Sequence, residues 1–213
     1  MQAYHLIKED ILDGKFKEDE KLNEVQLAND LNVSRGPIRE AVSKLEQEGL
    51  LIRKRNQLFV YKTSKKDLIH VFECRATIES LAAELAAERI SEDNKARLLK
   101  IINEKNTLLF NQDGNKQINE PDIANQFTLL CSEFHNIILE ESRNPWLIQL
   151  VNQLRLISTF YKYLKLRSSN RRESIFYEHQ QIADAICAHD QDTAKILMKK
   201  HLVKDLNTLL KQF

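Results

Sequence analysis

Four side chains in the second half of this 213-residue chain are of the types that hold a metal ion: Cys131, His135, His179 and His201. Cys131 and His135 are four residues apart, so a helix would place them on one face. His179 and His201 fall in two further helical segments, and facing helices of a bundle can bring such residues together. Three imidazoles with one anionic ligand suit Zn²⁺ or a similar divalent ion. Asp205, four residues after His201, shares its face and could supply an oxygen. Spacing alone does not separate a metal site from ordinary buried histidines, and Cys131 reads equally well as a small apolar core residue.

A second group of residues carries a different chemistry. The run Val33-Ser34-Arg35-Gly36-Pro37-Ile38-Arg39-Glu40-Ala41-Val42 lies within residues 22–61. Leu27, Ala28 and Leu31 mark one face of a short helix, which Asn32-Val33 interrupts. Ser34 is an N-cap whose hydroxyl can accept from the next turn. Pro37 then falls in the first turn, where no intrahelical donor is lost. Ile38, Ala41, Val42 and Leu45 form one apolar stripe at i, i+3, i+4 and i+7. Arg35, Gly36 and Arg39 lie off it, at the N-terminal end, the end that contacts base edges in a helix-turn-helix.

Gly49 ends this helix. Leu50-Leu51-Ile52 and Leu58-Phe59-Val60-Tyr61 read as two short strands around a basic tip, Arg53-Lys54-Arg55-Asn56-Gln57. Between Arg35 and Lys62 there are seven Lys or Arg against three acids, which the whole-chain net charge of +1 conceals. Local basic charge of this kind neutralises phosphates and makes binding salt-sensitive. The pattern is that of a winged helix-turn-helix bound to double-stranded DNA, with a small helical core and a merely solvated hairpin as the bland alternative.

The elements that must position these groups are mostly helices. Charged residues make up 30% and hydrophobic ones 42%, with only four Gly and three Pro. That is a globular composition with few irregular loops. No run approaches the ~18 apolar residues of a membrane span, and no signal peptide precedes the first amphipathic helix, so a cytoplasmic protein is expected. Three scattered cysteines argue against a disulfide framework and for a reducing compartment. Ala3, Leu6, Ile7 and Ile11 face inward on helix 1, with Gly14 at its end. The segment 62–67 is a short polar boundary with Ser64 as an N-cap. The expected domains are residues 1–63 and 64–213. From Asp67 onward the pattern is helical throughout, about six helices with a loop at Asn111 to Asn115 and a break at Asn144-Pro145: an all-α antiparallel bundle. Leu147, Leu150, Val151, Leu154, Ile157 and Tyr161 are expected on the buried side of the helix after that break.

The first 60 residues closely resemble the N-terminal domain of GntR-family bacterial transcription regulators. The resemblance rests on Leu22-Asn23-Glu24-Val25-Gln26-Leu27-Ala28, on Val33 through Ala41, and on Leu45-Glu46-Gln47-Glu48-Gly49-Leu50. It implies DNA contacts from Ser34, Arg35, Gly36, Pro37 and Arg39, and from a wing containing Arg53, Lys54, Arg55 and Asn56. The family's wing usually carries glycines at its tip, whereas this one has Asn56-Gln57; Asn tolerates a left-handed backbone, so a tight turn remains available.

The remainder resembles the FadR-type C-terminal ligand-binding domain, FCD. The matching residues are Phe72-Glu73-Cys74-Arg75, Ile78-Glu79, Glu133-Phe134-His135, Asn144-Pro145, Glu178-His179 and His201-Leu202. Many members bind a divalent metal through one Asp and three His. The histidines match at His135, His179 and His201, but the Asp position is Cys131. Three outcomes follow: a Cys131 thiolate in a softer, zinc-favouring site; a metal held by three His with water or effector; or a metal-free site. Arg75 matches an arginine that faces the effector pocket and can grip a carboxylate bidentately, or it forms a structural ion pair with Glu73 or Glu79. Tyr161, Tyr163 and Arg155 could line the same pocket, but ordinary packing explains them as well.

The expected protein is therefore a homodimeric transcription regulator on a pseudo-palindromic operator, controlled by a small effector such as a carboxylate. A metal-dependent hydrolase would need a placed general base, and no His-Glu-x-x-His signature is present. A constitutive DNA-binding dimer is the other alternative. Lys54→Ala or Arg55→Ala should weaken binding to all DNA sequences and lower the slope of log K against log salt by about one unit. Fluorescence anisotropy across a salt series checks this, and a loss confined to one base position would instead make the wing a base reader.

Overall fold

The computed structural model describes residues 2–12, 14–62, 64–110, 120–166 and 168–211, with the backbone alone described at 12, 121 and 156–166. The described residues divide into two compact units, Met1–Leu68 with Arg155–Phe160, and Ile69–Leu154 with Tyr161–Phe213.

The first unit holds three helices, α1 (Gln2–Leu12), α2 (Glu24–Asp30) and α3 (Arg35–Gln47), and three strands, β1 (Lys21–Leu22), β2 (Leu51–Lys54) and β3 (Gln57–Val60). Ala3, Ile7 and Ile11 of α1 are buried as expected, but Leu6 is exposed and Tyr4 takes its place. Tyr4 belongs to the inner face because its hydroxyl donates to Glu48 Oε1 at 2.6 Å, tying α1 to the end of α3. Asn23 caps α2 by accepting from Val25 N at 2.8 Å and Gln26 N at 3.3 Å. The stripe Ile38, Ala41, Val42 and Leu45 is fully inside. Each large aliphatic side chain so buried contributes on the order of 1.5–3 kcal/mol. Gly49, at φ 75°, turns the chain out of α3 in the left-handed conformation that a glycine adopts without strain.

The wing is a three-stranded antiparallel sheet in the order β1-β3-β2. β1 pairs Lys21 with Phe59 and Leu22 with Leu58. Two residues are too few to show an alternating pattern, so this strand has no sequence signature. The hairpin pairs Lys54 with Gln57, leaving a two-residue turn, and both of its residues, Arg55 (φ 48°) and Asn56 (φ 65°), are left-handed. That is the turn type whose twist matches a hairpin. The tight turn anticipated at Asn56 thus forms, and it also forces Arg55 into a conformation that costs a non-glycine residue roughly 1–2 kcal/mol.

The second unit is helical throughout its described residues. Its helices are α4 (Lys65–Arg89), α5 (Glu92–Phe110), α6 (Glu120–Glu141), α7 (Pro145–Leu166), α8 (Ser169–Cys187) and α9 (Gln191–Leu210). α4 opens on a reciprocal cap: Asp67 N donates to Ser64 Oγ at 3.1 Å, and Ser64 N donates to Asp67 Oδ2 at 3.0 Å. Asn144 caps α7, accepting from Trp146 N at 3.1 Å. Asp190 caps α9, accepting from Thr193 N at 3.1 Å. The expected loop at 111–115 lies outside the described residues, as do the side chains of Ile157, Tyr161 and Tyr163. α5 packs against both α6 and α8, and α8 against α9. The main core includes Leu98, Ile101, Phe127, Phe134, Ile182 and Met198 from these four helices. A smaller cluster joins Ala82, Leu139, Leu147 and Val151. Leu150, expected inside, is 47% exposed, because the buried face of α7 follows the i, i+4 pair Leu147 and Val151. No helix among the described residues is long and apolar enough to cross a membrane.

Replacing Arg55 by Asn, the residue favoured at the first position of such a turn, should stabilise the protein by about 0.5–1 kcal/mol. Chemical denaturation checks this, since an unchanged or lower midpoint would mean that the turn is not left-handed at that position.

Candidate functional site

The first candidate surface is the outer face of α3. Ser34, Arg35, Gly36, Pro37 and Arg39 are all exposed, while Ile38 between them is buried. Ser34 occupies the N-cap position, yet its hydroxyl makes no capping hydrogen bond. Capping was the expected role. Ser34 and the first turn of α3 are exposed, and an exposed helix N-terminus suits an anion. A Cβ built on Gly36 meets nothing within 4 Å. Glycine here is not required by the fold, and in a helix it costs on the order of 1 kcal/mol relative to alanine.

The wing residues stand in one group with α3, through an acid that sequence reasoning passed over. Glu24, in the first turn of α2, receives Arg53 Nη2 at 2.5 Å and lies 4.0 Å from Arg39 Nε. Arg53 also meets Glu46 at 3.2 Å, and Lys54 meets Asp19 at 2.6 Å. The recognition helix and the wing therefore share one carboxylate, while Arg35, Arg55 and Asn56 are exposed. Glu24 could have been suspected from its place directly after the α2 cap, but nothing in the sequence pairs it with residue 53.

The second candidate is buried. His135 on α6, His179 on α8 and His201 on α9 converge, with one nitrogen from each within 4.8 Å of the others. His179 Nε2 and His201 Nε2 are 3.3 Å apart, and Phe134 stacks on the His179 ring at 4.1 Å. His201 Nδ1 donates to Glu178 Oε2 at 2.6 Å. Adjacent residues of a helix diverge, and Glu178 turns from its neighbour His179 to grip His201 on the next helix. It also receives Arg171 at 2.7 Å, Lys204 at 2.7 Å and Ser174 at 2.9 Å. Burial pushes the Glu178 carboxyl up, but the hydrogen bonds from His201 and Arg171 outweigh that and hold it well below the usual carboxylate range.

Cys131 is buried one turn before His135, and its thiol is not among the convergent ligand atoms. Asp205 accepts from Arg171 at 2.6 Å, and its other oxygen lies 3.9 Å from His201 Nε2. Arg75 is buried and donates to Glu79 at 2.8 Å; Glu79 in turn lies 3.4 Å from His135 Nδ1.

One residue absent from the sequence reading changes the character of this cluster. Lys105 of α5 is fully buried, and its Nζ lies 2.6 Å from His179 Nδ1. Burial pushes its ammonium down to about 8, with Cys131 acting the other way. The signal existed: Leu98, Ile101, Ile102, Lys105 and Leu108 are the buried positions of α5, so lysine stands on an apolar stripe.

The gathering of three imidazoles suits a divalent ion, and so does the carboxylate behind His201. Lys105 stands behind His179, at Nδ1, and not among the convergent ligand atoms. The 3.3 Å between His179 Nε2 and His201 Nε2 is also the separation of two ligand nitrogens on one tetrahedral ion with bonds of about 2.1 Å. His135, His179 and His201 would therefore hold a divalent ion, with Glu178 orienting His201 from behind.

A winged helix-turn-helix with an exposed basic helix, in a chain whose second unit is helical around a polar interior, is the build of a bacterial transcriptional regulator. Residues 1–59 match the family of bacterial regulatory proteins, gntR family, and residues 70–204 match the FCD domain. The chain belongs to the GntR family and carries an FCD domain. It is 30% identical to the HTH-type transcriptional regulator YdhC of Bacillus subtilis (strain 168), over 98% of this chain and 90% of that protein. It is 28% identical to the HTH-type transcriptional repressor GlaR of Escherichia coli (strain K12), over 95% and 92%. Among solved structures it resembles E. coli McbR/YncC, with a TM-score of 0.77 and 19% identity over 99% of this chain and 96% of that one, a likeness of fold. These relatives are regulators, not enzymes.

Gly36→Ala should raise stability by about 0.5–1 kcal/mol while weakening operator binding. Thermal unfolding and gel shift on one preparation check both halves, and unchanged DNA affinity would mean that nothing approaches α3 closely at that point.

Proposed function

We propose that this transcriptional regulator binds a pseudo-palindromic double-stranded DNA operator as a homodimer, with residues 1–63 as the recognition domain. Residues 64–213 form the domain that dimerises and takes a small effector such as a carboxylate at the histidine cluster, where a divalent ion would be held by His135, His179 and His201. The observation that carries the DNA reading is the exposed, unpacked N-terminal turn of α3, with Arg35, Gly36 and Arg39 outward and the basic wing sharing Glu24 with it. Arg35 and Arg39 read base edges in one half-site, while Ser34, Lys54 and Arg55 contact phosphates. DNA binding frees Arg53 and Arg39 from Glu24, Arg53 for a phosphate and Arg39 for a base edge.

A dimer is favoured by the apolar side chains left exposed near the small α4–α7 cluster: Leu81 (39%), Leu150 (47%) and Trp146 (72%). Effector control is favoured by the polar interior of the second unit. Buried charge is rarely retained where apolar packing would do, and a pocket of perturbed groups is where a ligand is expected. The effector acts by binding one arrangement of the dimer better than another and shifting the population between them. The reading places the protein in the cytoplasm, with its DNA.

Selection of bound fragments from fragmented genomic DNA tests this directly. Recovered sites should share a motif with two inverted half-sites. Arg35→Ala and Arg39→Ala should each abolish specific binding with an unchanged unfolding midpoint, a loss of about 1–3 kcal/mol per bidentate base contact. Recovery of no common motif, or undiminished binding by both variants, would overturn the proposal.

A further inference from the structure

The position where the FCD resemblance expects an acid, one turn before His135, is Cys131, and its thiol is not among the convergent ligand atoms. A buried acid stands on a different helix. Asp205 of α9 lies four residues after His201 and is 1% exposed. Its two oxygens have different surroundings. Oδ1 accepts from Arg171 Nη2 at 2.6 Å, and Oδ2 lies 3.9 Å from His201 Nε2.

Ligating imidazoles are neutral, so three of them leave the charge of a divalent ion uncompensated. A buried charge requires a counter-charge. The geometry of the rings selects its source. Each histidine meets a charged side chain at Nδ1: His179 meets Lys105 at 2.6 Å, His201 meets Glu178 at 2.6 Å and His135 meets Glu79 at 3.4 Å. The Nε2 atoms of His179 and His201 face each other at 3.3 Å. Nδ1 is thus the outer nitrogen and Nε2 the inner one. Glu178 and Glu79 stand behind their histidines, and they also hold Arg171 and Arg75. Asp205 is the carboxylate that approaches an inner nitrogen.

We infer that Asp205 is the anionic protein ligand of this ion, through Oδ2, and that Cys131 is a packing residue. His201 and Asp205 share one helix face at i, i+4, as Cys131 and His135 do, so the acid is supplied from α9 instead of α6. Oδ1 stays with Arg171, which orients the carboxylate as Glu178 orients His201. Three nitrogens and a carboxylate oxygen make a harder donor set than one with a thiolate, and it accepts Mn²⁺, Co²⁺ and Ni²⁺ as well as Zn²⁺. The inference rests on the reading that the histidine cluster holds a divalent ion, and it names the fourth ligand.

The test uses the full chain, purified without a tag and stripped of metal, as wild type, Asp205→Asn, Cys131→Ala, Glu79→Gln, Arg171→Met and the double variant Arg171→Met with Asp205→Asn. Zinc affinity is measured by competition with a chromophoric chelator, and folding by circular dichroism. Wild type should bind about one ion per chain. Asp205→Asn should weaken binding by more than ~100-fold, the upper end of what losing a group behind a ligand costs. Glu79→Gln should stay within that limit, and Cys131→Ala should bind as wild type does. If Asp205→Asn does not fold, the double variant, which removes both members of the buried pair, should show the same loss relative to Arg171→Met. Wild type loaded with Co²⁺ should show no thiolate charge-transfer absorption in the near ultraviolet. Three results overturn the inference and leave the ion on its histidines: undiminished affinity without Asp205, a loss no larger than that of Glu79→Gln, or a thiolate band that Cys131→Ala removes. Wild type that takes up no metal overturns the metal reading and this inference with it. Binding of the same samples to a genomically selected DNA fragment reports separately on the regulator.

Discussion

A charge removed from water must be met by another charge or by well-aimed dipoles, and the helical unit of this protein is arranged around that requirement. Its core would otherwise be ordinary: leucine, isoleucine, alanine and phenylalanine from α4, α5, α6, α8 and α9. Into it the sequence sets Lys105, Arg171, His179, His201 and Asp205, all nearly inaccessible. α8 and α9 are tied by Arg171, Glu178, His201 and Asp205, and α5 is tied to α8 by Lys105. His179 and His201 lie between a lysine on one helix and a carboxylate on another.

The DNA-facing unit solves the opposite problem. Its core is closed by one stripe of α3 and by the small sheet, and its charge lies outside, where water and salt screen it. The basic residues still do not stand idle. Glu24, Glu46 and Asp19 hold Arg53 and Lys54 in place. Such exposed pairs contribute little stability. Their effect is to fix the wing's side chains near α3 before any partner arrives, which reduces the ordering cost of binding.

Much of this was legible in the residues, for identifiable reasons. The α3 stripe, the Gly49 stop and the strands around residues 51–60 are local patterns, and local patterns survive folding. The three histidines could be grouped because the resemblance supplied what spacing could not. Three things were not legible. β1 is two residues long and exists only because β3 offers it an edge. Ser34 has the chemistry of a cap but turns its hydroxyl elsewhere, a rotamer choice no sequence states. Lys105 was hidden because a lysine on an apolar stripe passes for a side chain that reaches out to solvent. Only the packing of α5 between α6 and α8 shows that it cannot.

The Arg171, Glu178, His201 and Asp205 cluster has a consequence for how this sequence can change over generations. Removing one member of a buried ion pair leaves its partner uncompensated, at a cost of about 3–5 kcal/mol, a large part of the 5–15 kcal/mol that separates a folded domain from its unfolded chain. Replacing several members together by apolar residues carries no such penalty. Single-step drift at these positions is therefore blocked while concerted replacement is open. Descendants of this protein should keep the cluster whole or lose it whole, and an ancestor poised between those states would have needed stability to spare elsewhere in the fold.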